Sequence, residues 1–431
     1  MLYEKSTSVT LIDFKFGGPI EPGLFFNREK ESRFLLSKLT AVEKGIRHNY
    51  ALVGPRRVGK SSILVFLENS IEKESIIPVL IDCEGREITR ERELSFDLFL
   101  NYWGGLILDK YFERCGIRGK IKIKLTNLAS SAKDKVILAL SEVLGQVKSL
   151  ELKTVEEYLS LRIEFEKSTQ KEKPDPKQLM KLFEDTIELA EKIGREKNLY
   201  WIVMLDEFQA TGKFKKPFDF LSAFRRHMEH QERVVYLLTG SNVGMMEDIL
   251  LRRPFGGHIP IEWINSFDGE TSGKFLKERF REMKRTIKDV VIEEIVSFTH
   301  GNPAFLNWFG EQCCREVSEI GEIELELVKA LQKKMFSYEG LAHVFEDELR
   351  KISPKKGKVF QAFVEMCVHD LNSPSRIAEK VQRAAPSETI VYLMRLESRG
   401  YVRRISEGNY AVIDPVLKSY VKYKFSNIYK K

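Results

Sequence analysis

The eight residues Gly54-Pro55-Arg56-Arg57-Val58-Gly59-Lys60-Ser61 match G-x-x-x-x-G-K-[ST] in full, and nothing else in the chain restricts its fold so tightly. They follow a short apolar run, Tyr50–Gly54 (YALVG), and lead into Ser61–Asn69, whose apolar residues have helical spacing. A strand feeding a glycine-rich loop and then a helix turns backbone amides and a positive helix N-terminus onto phosphate. Lys60 is placed to reach the β- and γ-phosphates, and the Ser61 hydroxyl to bind magnesium. The segment from Gly54 through Ser62 is therefore the expected nucleotide site, with ATP or ADP and Mg2+ as its ligands.

Three further apolar runs read as buried strands: Ile76–Asp82, Leu199–Leu205 and Val234–Leu238. Near-continuous apolar runs suit strands covered on both faces, and their alternation with helical patterns predicts a parallel, doubly wound α/β sheet. Between Ile76–Asp82 and Leu199–Leu205 lies a long helical stretch, about 86–198, strongest at Leu94–Phe112 and Leu179–Ile193. A charged, two-proline segment at Ser168–Lys177 (STQKEKPDPK) interrupts it and reads as a loop. Phe267–Arg285 and Asp289–Thr299 predict helices of a small all-α lid. After Pro354 the pattern gives a helix, then Ser375–Gln382 and Ser387–Arg399, then a strand pair, Tyr401–Ile405 and Tyr410–Ile413. The expected division is 1–262 for the nucleotide-binding core, 263–349 for the lid and 350–431 for a C-terminal winged helix.

The Leu199–Leu205 strand runs into Asp206-Glu207, which places two carboxylates at the ligand edge of the sheet. Asp206 would hold magnesium through water, and Glu207 would orient and deprotonate the attacking water. The competing reading is an acidic pair opening a helix. After Val234–Leu238 comes Thr239-Gly240-Ser241-Asn242, where Ser241 could bond the γ-phosphate or the attacking water, with Asn242 and Thr239 behind it. Capping of an Asn242–Leu250 helix is the alternative there. GTP is the rival nucleotide: Asp82-Cys83-Glu84-Gly85 is D-x-x-G, and Ser131-Ala132-Lys133 imitates a guanine loop. No N-K-x-D element accompanies them.

At this point the pattern resembles the archaeal ATPase family of the AAA+ superfamily, near the STAND signalling and origin-recognition ATPases. Phe25-Phe26-Asn27-Arg28-Glu29 is similar to its F-x-G-R-E box, which implies that Asn27 and Arg28 lie against adenine and ribose. GPRRVGKSSIL, the strand ending LDEFQ, and LLTGSN are similar to its next three motifs. Gly301-Asn302-Pro303 is similar to its lid motif, which implies that Pro303 packs near the nucleotide. Two departures stand out. Asn27 replaces the usual glycine, and asparagine also adopts left-handed backbone. Pro254-Phe255-Gly256-Gly257 lacks the arginine of the family's P-L-Y-G-R, leaving Arg252, Arg253, Arg225 and Arg226 as candidates for it.

Charge then separates the chain's two ends. The chain carries 70 basic and 63 acidic residues, a net +7, but from Arg350 onward it has 17 basic against 7 acidic. The preceding 349 residues hold the other 53 and 56, a net −3. Within the basic end, Ile390, Leu393, Leu396 and Tyr401 give the expected core face of the third helix and its exit. Arg383, Arg395, Arg399, Arg403 and Arg404 spread over that helix and the wing, as a winged helix on duplex DNA requires. In STAND relatives the same module is a switch that packs on the nucleotide domain, so a protein partner is the alternative. A homo-oligomer remains compatible with either.

The five cysteines are scattered and match no zinc spacing, so they read as free thiols. No run approaches the roughly 18 apolar residues of a membrane span, and no leader pattern opens the sequence, which points to the cytoplasm.

Overall fold

The computed structural model describes residues 14–90, 93–116, 175–252, 254–318, 320–353, 357–381 and 384–426. Its first half comprises α1 (Glu29–Leu39), β1 (Tyr50–Val53), α2 (Lys60–Ser70), β2 (Ile76–Asp82) and a small ribbon, β3 and β4 (Thr89–Arg90 and Glu93–Leu94). These are followed by α3 (Phe96–Arg114), α4 (Pro176–Lys197), β5 (Tyr200–Asp206), α5 (Phe220–His230), β6 (Val234–Gly240), α6 (Val243–Leu251) and β7 (Ile261–Trp263). Five strands form one parallel sheet in the order β2-β5-β6-β1-β7. The expected α/β class is what the chain adopts.

Successive strand residues feed opposite cores, so both faces must be apolar. Ala51, Val53, Val203 and Leu205 pack under α3, α4 and α5, while Tyr50, Leu52, Ile202 and Met204 pack under α1 and α2. Within α4, Leu179, Leu182, Phe183, Thr186, Ile187, Ala190 and Ile193 form its buried stripe. This helix begins at Pro176, inside the segment expected to be loop. The Asp175 carboxylate accepts from Lys177 N at 3.1 Å, and proline is tolerated at the first helical position. The rest of that loop, and the Ser131-Ala132-Lys133 imitation, lie outside the described residues.

Four helices follow the sheet: α7 (Gly269–Glu282), α8 (Asp289–Thr299), α9 (Pro303–Glu316) and α10 (Leu325–Met335), with a short parallel pair, β8 and β9 (Thr286–Ile287 and Glu322–Ile323). Next come α11 (Ala342–Ile352), α12 (Lys358–His369), α13 (Pro374–Lys380) and α14 (Pro386–Ser398). An antiparallel ribbon, β10 and β11 (Val402–Ser406 and Asn409–Val412), then leads to α15 (Pro415–Phe425). This last helix lies beyond the expected elements, which end at the ribbon, and Asp414-Pro415 is its start signal. The Asp414 carboxylate accepts from Val416 N at 2.9 Å and Leu417 N at 3.0 Å.

One apolar core runs through all of this second half, from Phe267 to Val421, and Phe14 near the N-terminus plugs into it. Ile390 corrects an expectation. It is 42% exposed, and Thr389 is fully buried while Leu393, Leu396 and Tyr401 join the core as expected. Thr389 Oγ1 can enter the core because it donates to the Ala385 carbonyl at 3.1 Å. Among the described residues no helix is long and apolar enough to cross a membrane, and the cysteines are free thiols.

Candidate functional site

The parallel register carries three strand ends to one edge. Val53 pairs with Gly240, and Asp82 lies beside Asp206, so the loops after β1, β5 and β6 meet there. Gly54 fits because no side chain could: a Cβ there would sit 1.9 Å from the Ile264 carbonyl oxygen. Gly59, at φ 97°, takes the left-handed turn into α2.

Lys60 is 5% exposed and donates from Nζ to the Gly54 and Pro55 carbonyls at 2.9 and 2.7 Å. Burial pushes its pKa down to about 8, against the pull of Glu207 and Asp206. The Ser61 hydroxyl donates to Asp206 Oδ2 at 2.7 Å, and the Thr239 hydroxyl donates to Asp206 Oδ1. Glu207 adopts left-handed backbone at φ 52°. Its Oε2 accepts from the Ser241 hydroxyl at 2.7 Å, from Ser241 N at 3.3 Å and from the Gln209 amide. Burial opposes the charge on Glu207, but Lys60, Gln209 and Ser241 outweigh it and hold the carboxyl below its ordinary value.

Lys60, Ser61, Glu207 and Ser241 border a cavity of about 380 Å³, whose walls also include Arg56, Arg57, Gly59, Ser62 and Pro303, while Asp206 is not among its lining residues. A volume of that order suits a small cofactor. Val58 is buried in the core instead and can offer only its backbone. Helix capping falls to Asn242, whose Oδ1 accepts from Met245 N at 3.2 Å, so Ser241 is left to Glu207.

The cavity has a wall that sequence reasoning missed. Residues 15–20 cross its mouth: Lys15 N donates to Asn307 Oδ1 at 3.0 Å in the lid, and Ile20 N to Ser62 Oγ at 3.1 Å. The two glycines and proline of this strap carry no motif, so its apolar residues Phe16 and Ile20, with Phe14 before them, were the available signal of anchoring. Asn27 has the left-handed backbone expected of it, at φ 46°. Arg28 is directed to the Asn265 carbonyl, to Glu31 at 3.2 Å and over the Phe267 ring. Neither Asn27 nor Arg28 is among the residues that line the cavity.

The described candidate arginines lie elsewhere too. Arg225 bonds Glu229 at 2.7 Å and the Pro254 carbonyl, Arg252 projects into solvent beside Asp248, Arg226 is exposed, and Arg253 lies outside the described residues. In contrast, Arg56 Nη1 reaches Glu348 Oε1 and Oε2 at 2.5 and 2.6 Å, across from α11. Glu348 was not singled out in the sequence, since nothing local marks a glutamate in an amphipathic helix.

The C-terminal unit abuts this site. Asn242 Nδ2 donates to the Ser398 carbonyl at 2.8 Å, and the Tyr401 hydroxyl donates to the Glu348 carbonyl at 3.1 Å. Of the expected DNA-facing arginines, Arg395, Arg403 and Arg404 are exposed, Arg399 donates to the Ile352 carbonyl, and Arg383 lies outside the described residues. Ile390, Val391 and Met394 are exposed on the same helix.

A family model for ATPase domains found predominantly in Archaea matches residues 25–309. Among solved structures, the Walker-type ATPase PABY2304 of Pyrococcus abyssi superposes with a TM-score of 0.63 at 22% identity, over 95% of this chain and 99% of that one. The ORC2 protein of Aeropyrum pernix, in ADPNP–ADP complexes, superposes at 0.51 and 12% identity, over 95% and 96%. These likenesses concern the fold. No curated protein sequence matches the chain.

Proposed function

Because the chain belongs to the family of ATPase domains found predominantly in Archaea, we propose that it hydrolyses ATP with magnesium in the cavity at the sheet edge and transmits the nucleotide state to its C-terminal unit. The observation that carries this reading is the convergence of Lys60, Ser61 and Glu207 on one cavity wall, with Asp206 joined to Ser61 behind it at 2.7 Å. GTP loses ground with the family and with Asp82, whose carboxylate is turned to Glu84 N at 2.8 Å.

Ser61 and Asp206 offer hard oxygen donors of the kind magnesium takes. When bound, magnesium neutralises charge on the β- and γ-phosphate oxygens. Lys60 would exchange its two carbonyl partners for phosphate oxygens. Glu207, held by Ser241 and Gln209, would orient the attacking water and accept its proton as the bond from the γ-phosphorus to ADP breaks. Ser241 thus acts through Glu207. Glu207→Gln should retain ATP and lower kcat by about 10²–10⁴-fold, as followed by phosphate release. Wild-type turnover in this variant would sink the assignment.

The C-terminal unit is read as a winged helix whose third helix is docked by its end on α6, which favours a nucleotide-dependent switch. Its outward face, with Ile390, Val391 and Met394, has the apolar character of a protein contact. Duplex DNA is the second reading, favoured by exposed Arg395, Arg403 and Arg404. Titration with labelled duplex at two salt concentrations separates them. A salt-dependent affinity lost in an Arg403→Ala, Arg404→Ala double variant supports DNA, and none at low salt supports the switch.

A further inference from the structure

We propose that Arg56, carried by the phosphate-binding loop itself, is the arginine that meets the transferred phosphate, and that Glu348 is the positioning residue that holds it in reserve. The proposal rests on the reading of this cavity as a site of ATP hydrolysis.

Arg56 shares the cavity wall with Lys60 and Glu207, whereas Arg225 and Arg252 are engaged at other surfaces. Arg57 is less suited, because its guanidinium lies over the Phe305 ring of the lid at 5.9 Å. Arg56 also feels both reacting partners' neighbours: its charge opposes that of Lys60, and Glu207 favours its charged form.

Glu348 is an unexpected neighbour for a triphosphate. Its side chain is 7% exposed and lines the cavity, where its charge repels an anionic ligand. A guanidinium fork pairs equally well with carboxylate and phosphate. Glu348 and a terminal phosphate therefore compete for one donor. The exchange does not strand Glu348: Arg57 stands 3.7 Å and Lys351 3.6 Å from its Oε1, and the Tyr401 hydroxyl is 3.4 Å from Oε2. A buried carboxylate left alone would forbid the exchange.

Asn302 supplies the guide. Its Nδ2 donates to the Arg56 carbonyl at 3.3 Å, which ties the loop to the N-terminus of α9. Lid and loop therefore move the arginine together.

The test uses the full chain and measures ADP affinity with and without aluminium fluoride, alongside steady-state ATP turnover. Wild type should gain affinity for ADP when aluminium fluoride is added. Arg56→Ala should keep ADP within a few-fold, lose that gain, and lower kcat on the order of 10²-fold or more. Arg56→Lys, which keeps charge without the fork, should fall between them and carries the test if the alanine variant misfolds. Glu348→Gln should raise kcat several-fold by freeing Arg56. Wild-type turnover and trapping in both Arg56 variants would overturn the proposal and leave Arg56 a structural latch. Absence of turnover in wild type would instead overturn the hydrolysis reading on which the proposal rests.

Discussion

The Ser61 hydroxyl and Asp206 Oδ2 are hydrogen-bonded at 2.7 Å, joining the first turn of α2 to the tip of a strand 145 residues farther along the chain. Thr239 holds the other oxygen of the same carboxylate. Asp206 is thus fixed from two elements, as a residue meant to orient a cation should be. Asp206→Asn should lower turnover by at least about 10²-fold and raise the magnesium concentration needed for half-maximal rate. Initial rates across a magnesium titration check this, and an unchanged midpoint would remove Asp206 from the metal's coordination.

Lys60 makes the site pH-sensitive in a defined direction. Its folded pKa is about 8, against an ordinary value of 10.5. Below 8 the ammonium is present for phosphate. Above it the free protein loses that charge, so ATP affinity should fall by up to about tenfold per pH unit. Binding there must take up a proton, visible as a buffer-dependent heat in calorimetry. Stability responds the opposite way. Between 8 and 10.5 the unfolded chain binds more protons than the folded one, so the Lys60 contribution to stability rises with pH. Lys60→Met should flatten both trends.

Gly244 tests the docking of the C-terminal unit without touching the Asn242 cap. A Cβ at Gly244 would stand 2.6 Å from the Glu397 carbonyl oxygen. Gly244→Val should push the end of α14 off α6, destabilise the chain by about 1–3 kcal/mol, and speed hydrogen exchange across 386–398. Exchange unchanged from wild type would mean that this seam contributes nothing to docking.

How far the sequence could be read follows the range of each signal. That the Gly54–Ser61 loop would meet Asp206-Glu207 was legible because their placement depends on neighbours in sequence and on the period of adjacent strands. The stretch Thr239-Gly240-Ser241-Asn242 read either as a phosphate contact or as a helix cap, and the structure divides the two, with Asn242 capping the helix and Ser241 on Glu207. Ile390 was misread because helical spacing alone does not say whether the buried stripe passes through it or through Thr389, whose hydroxyl finds a backbone partner. Glu348 could not be read at all, since its meaning comes from Arg56, 292 residues away. The strap at 15–20 was hidden for the same reason. Lys15 and Ile20 anchor it to Asn307 and Ser62 through backbone amides, which every residue type but proline possesses.

The core that runs unbroken from Phe267 to Val421 has a mechanical consequence. Ile264 is hydrogen-bonded to the sheet through Val53, and Phe267 to the lid through Gly301, so at this point the chain passes from one body to the other through Asn265 and Ser266 alone. The elements beyond that joint share one core and would turn together once their contacts to the sheet body were released. A tilt too small to notice beside the phosphates becomes a broad sweep at the tip of the β10–β11 ribbon, as the far end of an oar travels farther than the hand. Such a lever needs no relay of repacked side chains, only a short pivot and a stiff arm.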